Sequence, residues 1–420
     1  MFKPRRIYTL LLWLLLPYVF FHLLWRARKQ PEYLHHIAER FGLYSIKSNI
    51  CIIWLHTVSV GETRAAASLV QRLQAEYPEH QILLTHTTPT GREASEQLYG
   101  DKVLRVYLPY DYPFAVRRFL RHFKPQVGVL LETEIWFNLI HGCHDAQVPL
   151  LLLNARLSEK SAAAYGRFPR LARSGLSQLS AIAAQSKEDA ARLSALGAQN
   201  ISVMGNLKYD IEPSPEMLER GKHMRNLFGL NRPVFLAAST RVGEEELLLN
   251  SLKKTDVPNL LSVIVPRHPQ RFDEVAALLS RHNIRFQRRS ENRPIAAETQ
   301  VVLGDSMGEM FAYYAACDIA FIGGSLLPFG GQNLIEACAV GTPVLIGPHT
   351  YNFTEASILA VKQGAAVRVQ DADNLVQPLH QLLTHPEKLE QMGSAGLAFV
   401  NANRGATKQA LAIIRQAIRS

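Results

Sequence analysis

The stretch CIIWLHTVSVGETRAAASLVQRLQAEYPEHQILLTH, residues 51–86, decides the fold. Its two ends, CIIWLH and QILLTH, are apolar runs without polar alternation, a pattern strands carry when both faces of their sheet are covered. Between them, residues 64–76 put Ala67, Leu69, Val70, Leu73 and Ala75 on or near one face of a helix. Strand, helix and strand in that order make the unit of a parallel sheet, because a parallel return needs a covering crossover. The pattern continues through VLRVYL (103–108), VGVLLE (127–132) and PLLLLN (149–154). After a polar, proline-bearing joint at 208–215 it starts again, with VFLAA (234–238), LLSVIV (260–265), IAFIG (319–323) and PVLIG (343–347). The expected fold is α/β, with two Rossmann-like doubly wound domains facing a cleft. In such sheets ligands bind beyond the carboxyl ends of the strands, where loops and helix N-termini expose backbone donors.

A chain of 420 residues agrees with two domains, since one domain takes about 150. Hydrophobic residues at 47% and charged residues at 20% supply ordinary cores and exclude a disordered or low-complexity chain. The formal charge is +10, but Lys3, Arg5, Arg6, Arg26, Arg28 and Lys29 all precede the first acid, Glu32, which leaves only +4 for the rest. Nucleic acid is therefore not an expected partner, because it calls for basic residues spread along the folded body. The early charges flank IYTLLLWLLLPYVFFHLLW at 7–25, nineteen uncharged residues that span about 28 Å as a helix, close to a hydrocarbon core of about 30 Å. No small-residue cleavage site follows, so the segment reads as a retained membrane anchor, with spanning and interfacial seating both open. The four cysteines, Cys51, Cys143, Cys317 and Cys338, are too far apart for a zinc knuckle or disulfide framework and point to a reducing cytoplasm. His141 and His144 beside Cys143 read as chance neighbours, and no metal is expected.

Five segments place polar or glycine residues directly after an expected strand. In HTVSVGETRAA (56–66), Ser59, Gly61 and Glu62 lead into a helix whose N-terminus attracts anions. Glu62 there suits a sugar hydroxyl or a base as well as it suits the helix dipole. In LLETEIW (130–136), Glu132 and Glu134 fall on one side of any extended segment. In VPRHPQRF (265–272), Arg267, His268 and Arg271 suit a phosphate. In 304–326 and 329–353, the pairs Gly323-Gly324 and Gly330-Gly331 are expected at strand ends, with Glu336 in the first turns of a helix opening at 332–334. Freed amides there suit a phosphate and the glutamate a ribose diol. No Walker motif and no GxGxxG after the first strand occur, which argues against nucleotide hydrolysis and dehydrogenase chemistry. Asp371 and Asp373 read as helix caps rather than metal ligands.

The order of motifs ERFG (39–42), HTVSVGE (56–62), TPTGRE (88–93), YLPYD (107–111), ETEIW (132–136), NARLS (154–158), PRHP (266–269), GDSMGE (304–309), GGSL (323–326) and GGQNLIEA (330–337) resembles the Kdo transferases, the CMP-Kdo:lipid A glycosyltransferases of lipopolysaccharide assembly. The resemblance covers nearly the whole chain. It departs at Phe137, where proline is expected, and at Gln332, where histidine is common.

The resemblance implies a GT-B fold in five parts. These are an anchor at 1–30, an acceptor domain at 31–207, a linker at 208–216, a CMP-Kdo domain at 217–400 and a C-terminal helix at 401–420 that packs back toward the first domain. It implies an inverting transfer of Kdo from CMP-Kdo to a lipid A precursor (lipid IVA) at the cytoplasmic face of the inner membrane, without cofactor or metal. It implies Glu39 as the base, with Glu134 or Glu132 in support and Ser59, Gly61, Glu62, Thr90 and Lys208 toward acceptor or anion. On the donor it implies Arg267, His268, Met307, Glu309, Gly324, Ser325, Asn333 and Glu336. The alternatives are a soluble-type GT-B sugar-nucleotide epimerase, which has no use for an anchor, and a non-catalytic membrane scaffold.

Overall fold

The computed structural model describes residues 4–28, 30–46 and 50–419; of the basic residues flanking the apolar stretch, Lys3 and Lys29 lie outside this range. The chain divides into two compact units, Met1–Asp210 with Arg404–Ser420, and Ile211–Asn403. Each holds one seven-stranded parallel sheet.

In the first unit the strands are β1 (Ile52–His56), β2 (Gln81–His86), β3 (Leu104–Tyr107), β4 (Val127–Leu131), β5 (Leu150–Ala155), β6 (Ala181–Ala184) and β7 (Ile201–Val203). They lie in the order β3-β2-β1-β4-β5-β6-β7. The continuous apolar runs have a direct cause. Ile52 and Trp54 of β1 enter one core, with Phe119, Ile140 and Leu152, while Ile53 and Leu55 enter the other, with Leu69, Leu73 and Val129. Gly128 of β4, paired with Trp54, leaves room for the indole: a Cβ there would stand 2.6 Å from the ring.

The second unit runs β8 (Val234–Thr240), β9 (Leu261–Pro266), β10 (Phe286–Arg288), β11 (Val301–Leu303), β12 (Ile319–Ile322), β13 (Val344–Ile346) and β14 (Ala366–Arg368). Its order is β10-β11-β9-β8-β12-β13-β14. The strands β6, β7, β10, β11 and β14 have no counterpart in the sequence reading. Each has three or four residues, so the apolar runs of β6 and β11 are too short to stand out, while β7, β10 and β14 carry polar or exposed positions.

Helix α1 (Pro4–Ala27) is long and apolar enough to cross a membrane, with mean hydropathy 2.0. It is nevertheless tied to its unit: the Tyr8 hydroxyl donates to Asp111 Oδ2 at 2.8 Å and the Tyr112 hydroxyl to the Leu12 carbonyl at 2.8 Å. The helix expected over 64–76 begins earlier and is interrupted at Ala66, giving α2 (Val60–Ala65) and α3 (Ala67–Glu76). Ser59 sets the earlier start, since its side chain caps the Glu62 amide.

The last helix, Ala406–Arg419, buries Ala406, Ala410 and Ile414 in the core behind β1 and β4. Asp210 holds its start by accepting the amides of Gly405, at 2.7 Å, and Thr407. Removing the carboxylate with Asp210→Ala leaves both amides unpaired, so a loss of about 1–3 kcal/mol is expected in urea unfolding followed by fluorescence.

Candidate active site

In the first sheet the strand order reverses between β1 and β4, the position at which doubly wound folds take ligands. The loop after β1 carries Ser59 and Glu62. Glu62 accepts the Val58 amide at 2.7 Å and the Ser59 hydroxyl at 3.1 Å, while its own amide is capped by the Ser59 side chain. Burial pushes its carboxyl up to about 7; the Val58 amide opposes this, and the charges of Glu132 and Glu134 add to it. Gly61 is an exposed helical residue whose Cβ would meet only the Ser59 Oγ, at an ordinary contact of 3.8 Å, so nothing there requires glycine.

After β4, Glu132 takes a left-handed backbone at φ 61°. The segment is therefore not extended, and the expected period-two relation of Glu132 and Glu134 does not arise. Glu132 Oε1 stands 3.4 Å from Lys208 Nζ. Glu134 accepts the Trp136 indole N–H at 2.6 Å and lies 3.7 Å from Nε2 of the fully buried His56, whose Nδ1 is 2.9 Å from Thr85 Oγ1. Both carboxylates act on Glu62, and His56 opposes them. Thr90 is exposed in the first turn of α4 (Pro89–Tyr99), 3.5 Å from Thr88 Oγ1.

Glu39 sits in the short 3-10 helix Ile37–Phe41 and is buried. Its Oε2 accepts Arg92 Nη1 and the Tyr107 amide, both at 2.7 Å, while Oε1 is 3.4 Å from His36 Nδ1. Beside it Arg40 donates twice to the Thr87 carbonyl at 3.1 Å and stacks 4.0 Å over the Tyr107 ring. A cavity of about 400 Å³ opens next to these residues. Leu12, Val19 and Leu23 of α1 form one wall, and Arg26, Arg40, Asp111 and Glu134 are its arginine and acidic residues.

In the second sheet the reversal falls between β8 and β12. Fully buried Glu244 accepts amides from Arg241 at 2.9 Å, Gly324 at 2.6 Å and Leu326 at 3.0 Å; burial raises its pKa and those amides oppose the rise. The Gly324 amide expected for a phosphate is thus given to an internal carboxylate. Ser325 is also fully buried: its hydroxyl donates to the Ile322 carbonyl and accepts the Gly347 amide. Gly330-Gly331 does not follow a strand; it lies in the loop beyond Ser325, with φ of 91° and 75°. A Cβ on Gly323 would stand 2.5 Å from the Ser239 carbonyl, which explains that glycine.

Arg267 and His268 follow β9, as expected. Partial burial and the neighbouring charges of Arg241, Arg267 and Arg271 lower the His268 pKa, so positive charge gathers here. Arg271 itself is turned inward in a bidentate pair with buried Glu245, at 2.7 and 3.1 Å. Asn333 donates to Glu336 Oε1 at 3.1 Å and accepts the Ile335 amide, so it orients that glutamate. Met307 is 52% exposed, whereas Glu309 is buried against Arg220 at 3.1 Å and Arg289 at 3.3 Å. Asp371 caps the Asn374 amide. Among the described residues no three His, Cys, Asp or Glu side chains are gathered for a metal.

Residues 35–211 match the family model of 3-deoxy-D-manno-octulosonic-acid transferase (kdotransferase), and residues 246–398 that of glycosyl transferases group 1. The chain is 40% identical to the 3-deoxy-D-manno-octulosonic acid transferase of Haemophilus influenzae, covering 98% of each chain. It is 40% identical to that of Bordetella pertussis over 97% of this chain and 98% of the other. The chain belongs to the 3-deoxy-D-manno-octulosonic acid transferase family. It is a glycosyltransferase, and its fold is that of the crystal structure of a glycosyltransferase from Rickettsia africae, with a TM-score of 0.57 at 14% identity, covering 89% of this chain and all of that one. Full-length identity to transferases sets aside the epimerase and the scaffold.

In this transferase the residues that sequence reasoning missed are Arg92, His56, Arg241 and Glu244. Arg92 and His56 stand inside the quoted motifs, but nothing in the spacing pairs them with Glu39 and Glu134. Glu244 opens a run of three acids that reads as an ordinary acidic first turn.

Because Glu62 carries a raised pKa only when folded, the native state holds its proton while the unfolded chain loses it. Stability therefore falls as pH rises from about 4.5 to about 7. Glu62→Gln is expected to flatten that part of the profile in urea midpoints measured across the range.

Proposed function

We propose that the transferase moves Kdo from CMP-Kdo onto a hydroxyl of a lipid A precursor, with inversion, at the cytoplasmic face of the inner membrane. The observation that carries this reading is the cavity walled by apolar helix α1 and lined by the cations Arg26 and Arg40 with Glu134 and Asp111. An acceptor with acyl chains and an anionic sugar headgroup needs that combination: lipid contact on one side, cations for its phosphate, and a carboxylate at the reacting hydroxyl. In this reading Met1–Asp210 with Arg404–Ser420 takes the acceptor, and Ile211–Asn403 takes the donor.

The acceptor hydroxyl is a poor nucleophile, so a carboxylate removes its proton as the new C–O bond forms and the C–O bond to the CMP phosphate breaks. Glu39 is the proposed base. Its Oε2 is committed to Arg92 and Tyr107, which fixes the carboxylate and leaves Oε1 to receive the proton. Glu134 supports the reaction from the cavity, with Glu132, Glu62, Ser59 and Lys208 around it; Thr90 lies further out. Arg267, His268 and Arg241 meet the departing phosphate, and cation charge suffices there without a metal. Glu336, oriented by Asn333, takes the ribose, and Met307 and Glu309 flank the nucleotide. Gly324 and Ser325 shape this region through the internal bonds described above.

A second reading assigns the base to Glu134, because it lines the cavity and Glu39 does not. The reaction of the detergent-solubilised transferase with CMP-Kdo and a tetraacylated lipid A precursor, read by mass spectrometry of the lipid, tests the activity and counts the Kdo units added. With Glu39→Gln, transfer is expected to fall by at least about 100-fold while CMP-Kdo binding stays within about twofold. Loss confined to Glu134→Gln moves the base to Glu134. For Arg267→Ala, calorimetric titration is expected to give donor binding about tenfold weaker or more; unchanged affinity removes Arg267 from the donor site.

A further inference from the structure

Helix α1 does not project from its unit; one long face lies on it. Arg5, Tyr8, Leu12, Val19, Leu23 and Ala27, spaced at three to seven residues, are wholly or partly covered. The first turns are tied through Tyr8 to Asp111, and the last turn is buried against Tyr33. The opposite face, with Ile7, Leu11, Leu14, Tyr18, Phe21 and Trp25, is 51–69% exposed. Twenty-four helical residues reach about 36 Å. Because both ends rest on the same polar α/β unit, the exposed face meets lipid along its side rather than end to end.

Beside the first turn of α1 lies a groove of about 410 Å³, separate from the cavity described above. It is lined by Arg5, Arg117, Arg121 and Lys124, with Asn138 and Asp145. Helix α5 (Pro113–Phe123) supplies two of these because it is strongly amphipathic: Ala115, Val116, Phe119 and Leu120 are buried, while Arg117 and Arg121 are exposed, and Lys124 follows as its cap. Other arginines of the chain are committed, Arg92 to Glu39 and Arg271 to Glu245. Among the described residues Arg117, Arg121 and Lys124 have no carboxylate within 4.0 Å. Asp145, the groove's one acid, is 3.7 Å from His141 and 4.0 Å from His144. Four cations against one carboxylate, at the edge of an exposed apolar face, match the level at which a bilayer presents its phosphates.

We propose that this groove seats the headgroup phosphate of an anionic phospholipid and holds α1 in the plane of the membrane. The proposal rests on the reading that α1 meets a membrane. The test is flotation of the full-length protein, diluted out of detergent, with phosphatidylcholine vesicles that contain or lack phosphatidylglycerol. Wild type is expected to prefer the anionic vesicles, and Arg117→Ala/Arg121→Ala to lose on the order of tenfold in partitioning onto them. The charge-matched Arg281→Ala/Lys408→Ala, on other surfaces, keeps the preference. If the double variant loses its cooperative thermal transition, Lys124→Gln carries the same test.

Equal binding of wild type to both vesicles, or a preference that survives in the groove variants, overturns the groove but leaves membrane association standing. Wild type that floats with neither overturns the membrane reading itself. A preference abolished by millimolar inorganic phosphate at constant ionic strength assigns the groove to a free anion and overturns the lipid.

Discussion

The first unit depends on one buried carboxylate. Asp111, 5% exposed, accepts the amide of Leu139 on one oxygen at 2.7 Å, and the amide of Asn138 at 3.0 Å and the hydroxyl of Tyr8 at 2.8 Å on the other. The two amides open the helix Phe137–Asp145, where an anion is favoured. Tyr8 belongs to α1. A single side chain in YLPYD thus joins the apolar helix to the helix that follows ETEIW, and sets the wall of the cavity relative to Glu134. Burial pushes its carboxyl up to about 6, against which the three donors work. The cost is tolerable because three donors converge on its two oxygens.

The second unit answers the same problem at its own sheet reversal. The turn after β12 brings Gly324 and Leu326 amides inward, and Glu244 receives them both. A carboxylate there does what a bound phosphate does elsewhere at glycine-rich turns: it satisfies amides that no strand or helix can pair. The amides of this loop are consequently satisfied without a ligand, and in the proposed function the phosphate is met instead by half-buried Arg241 and Arg267 with exposed His268 beside them. Sequence alone assigns the amides to the ligand because an acid three residues after Arg241 is invisible as their partner.

Sequence legibility follows from the same physics. The long inner strands β1, β2, β4, β5, β8 and β9 are legible because burial on both faces writes an unbroken apolar run. The outer strands β7, β10 and β14 are not, since three residues with partial exposure carry no pattern. Motif residues in the site are legible as a set, yet their pairings are not. Glu39 and Arg92 stand 53 positions apart, and Glu39 and the Tyr107 amide 68 apart, so only the packed chain brings them together. Glu132 fails the period-two expectation for a local reason: a left-handed residue ends the strand one position before the pattern requires.

The ion pair of Glu39 bears on how a base works in such a site. In the proposed mechanism a buried carboxylate that accepts two strong hydrogen bonds on one oxygen is a well-aimed base. Its geometry is set by α4 through Arg92 and by β3 through Tyr107, and no reorganisation is needed when the acceptor arrives. Glycosyl transfer with an oxocarbenium-like transition state asks little of the base until late, when the attacking hydroxyl has already become acidic by bonding to carbon. Under those conditions orientation is what the site has to supply. Burial, with the charges of Glu132 and Glu134 adding to it, raises the Glu62 carboxyl to about 7, and in the proposed function that suits it to hydrogen-bond an uncharged sugar hydroxyl.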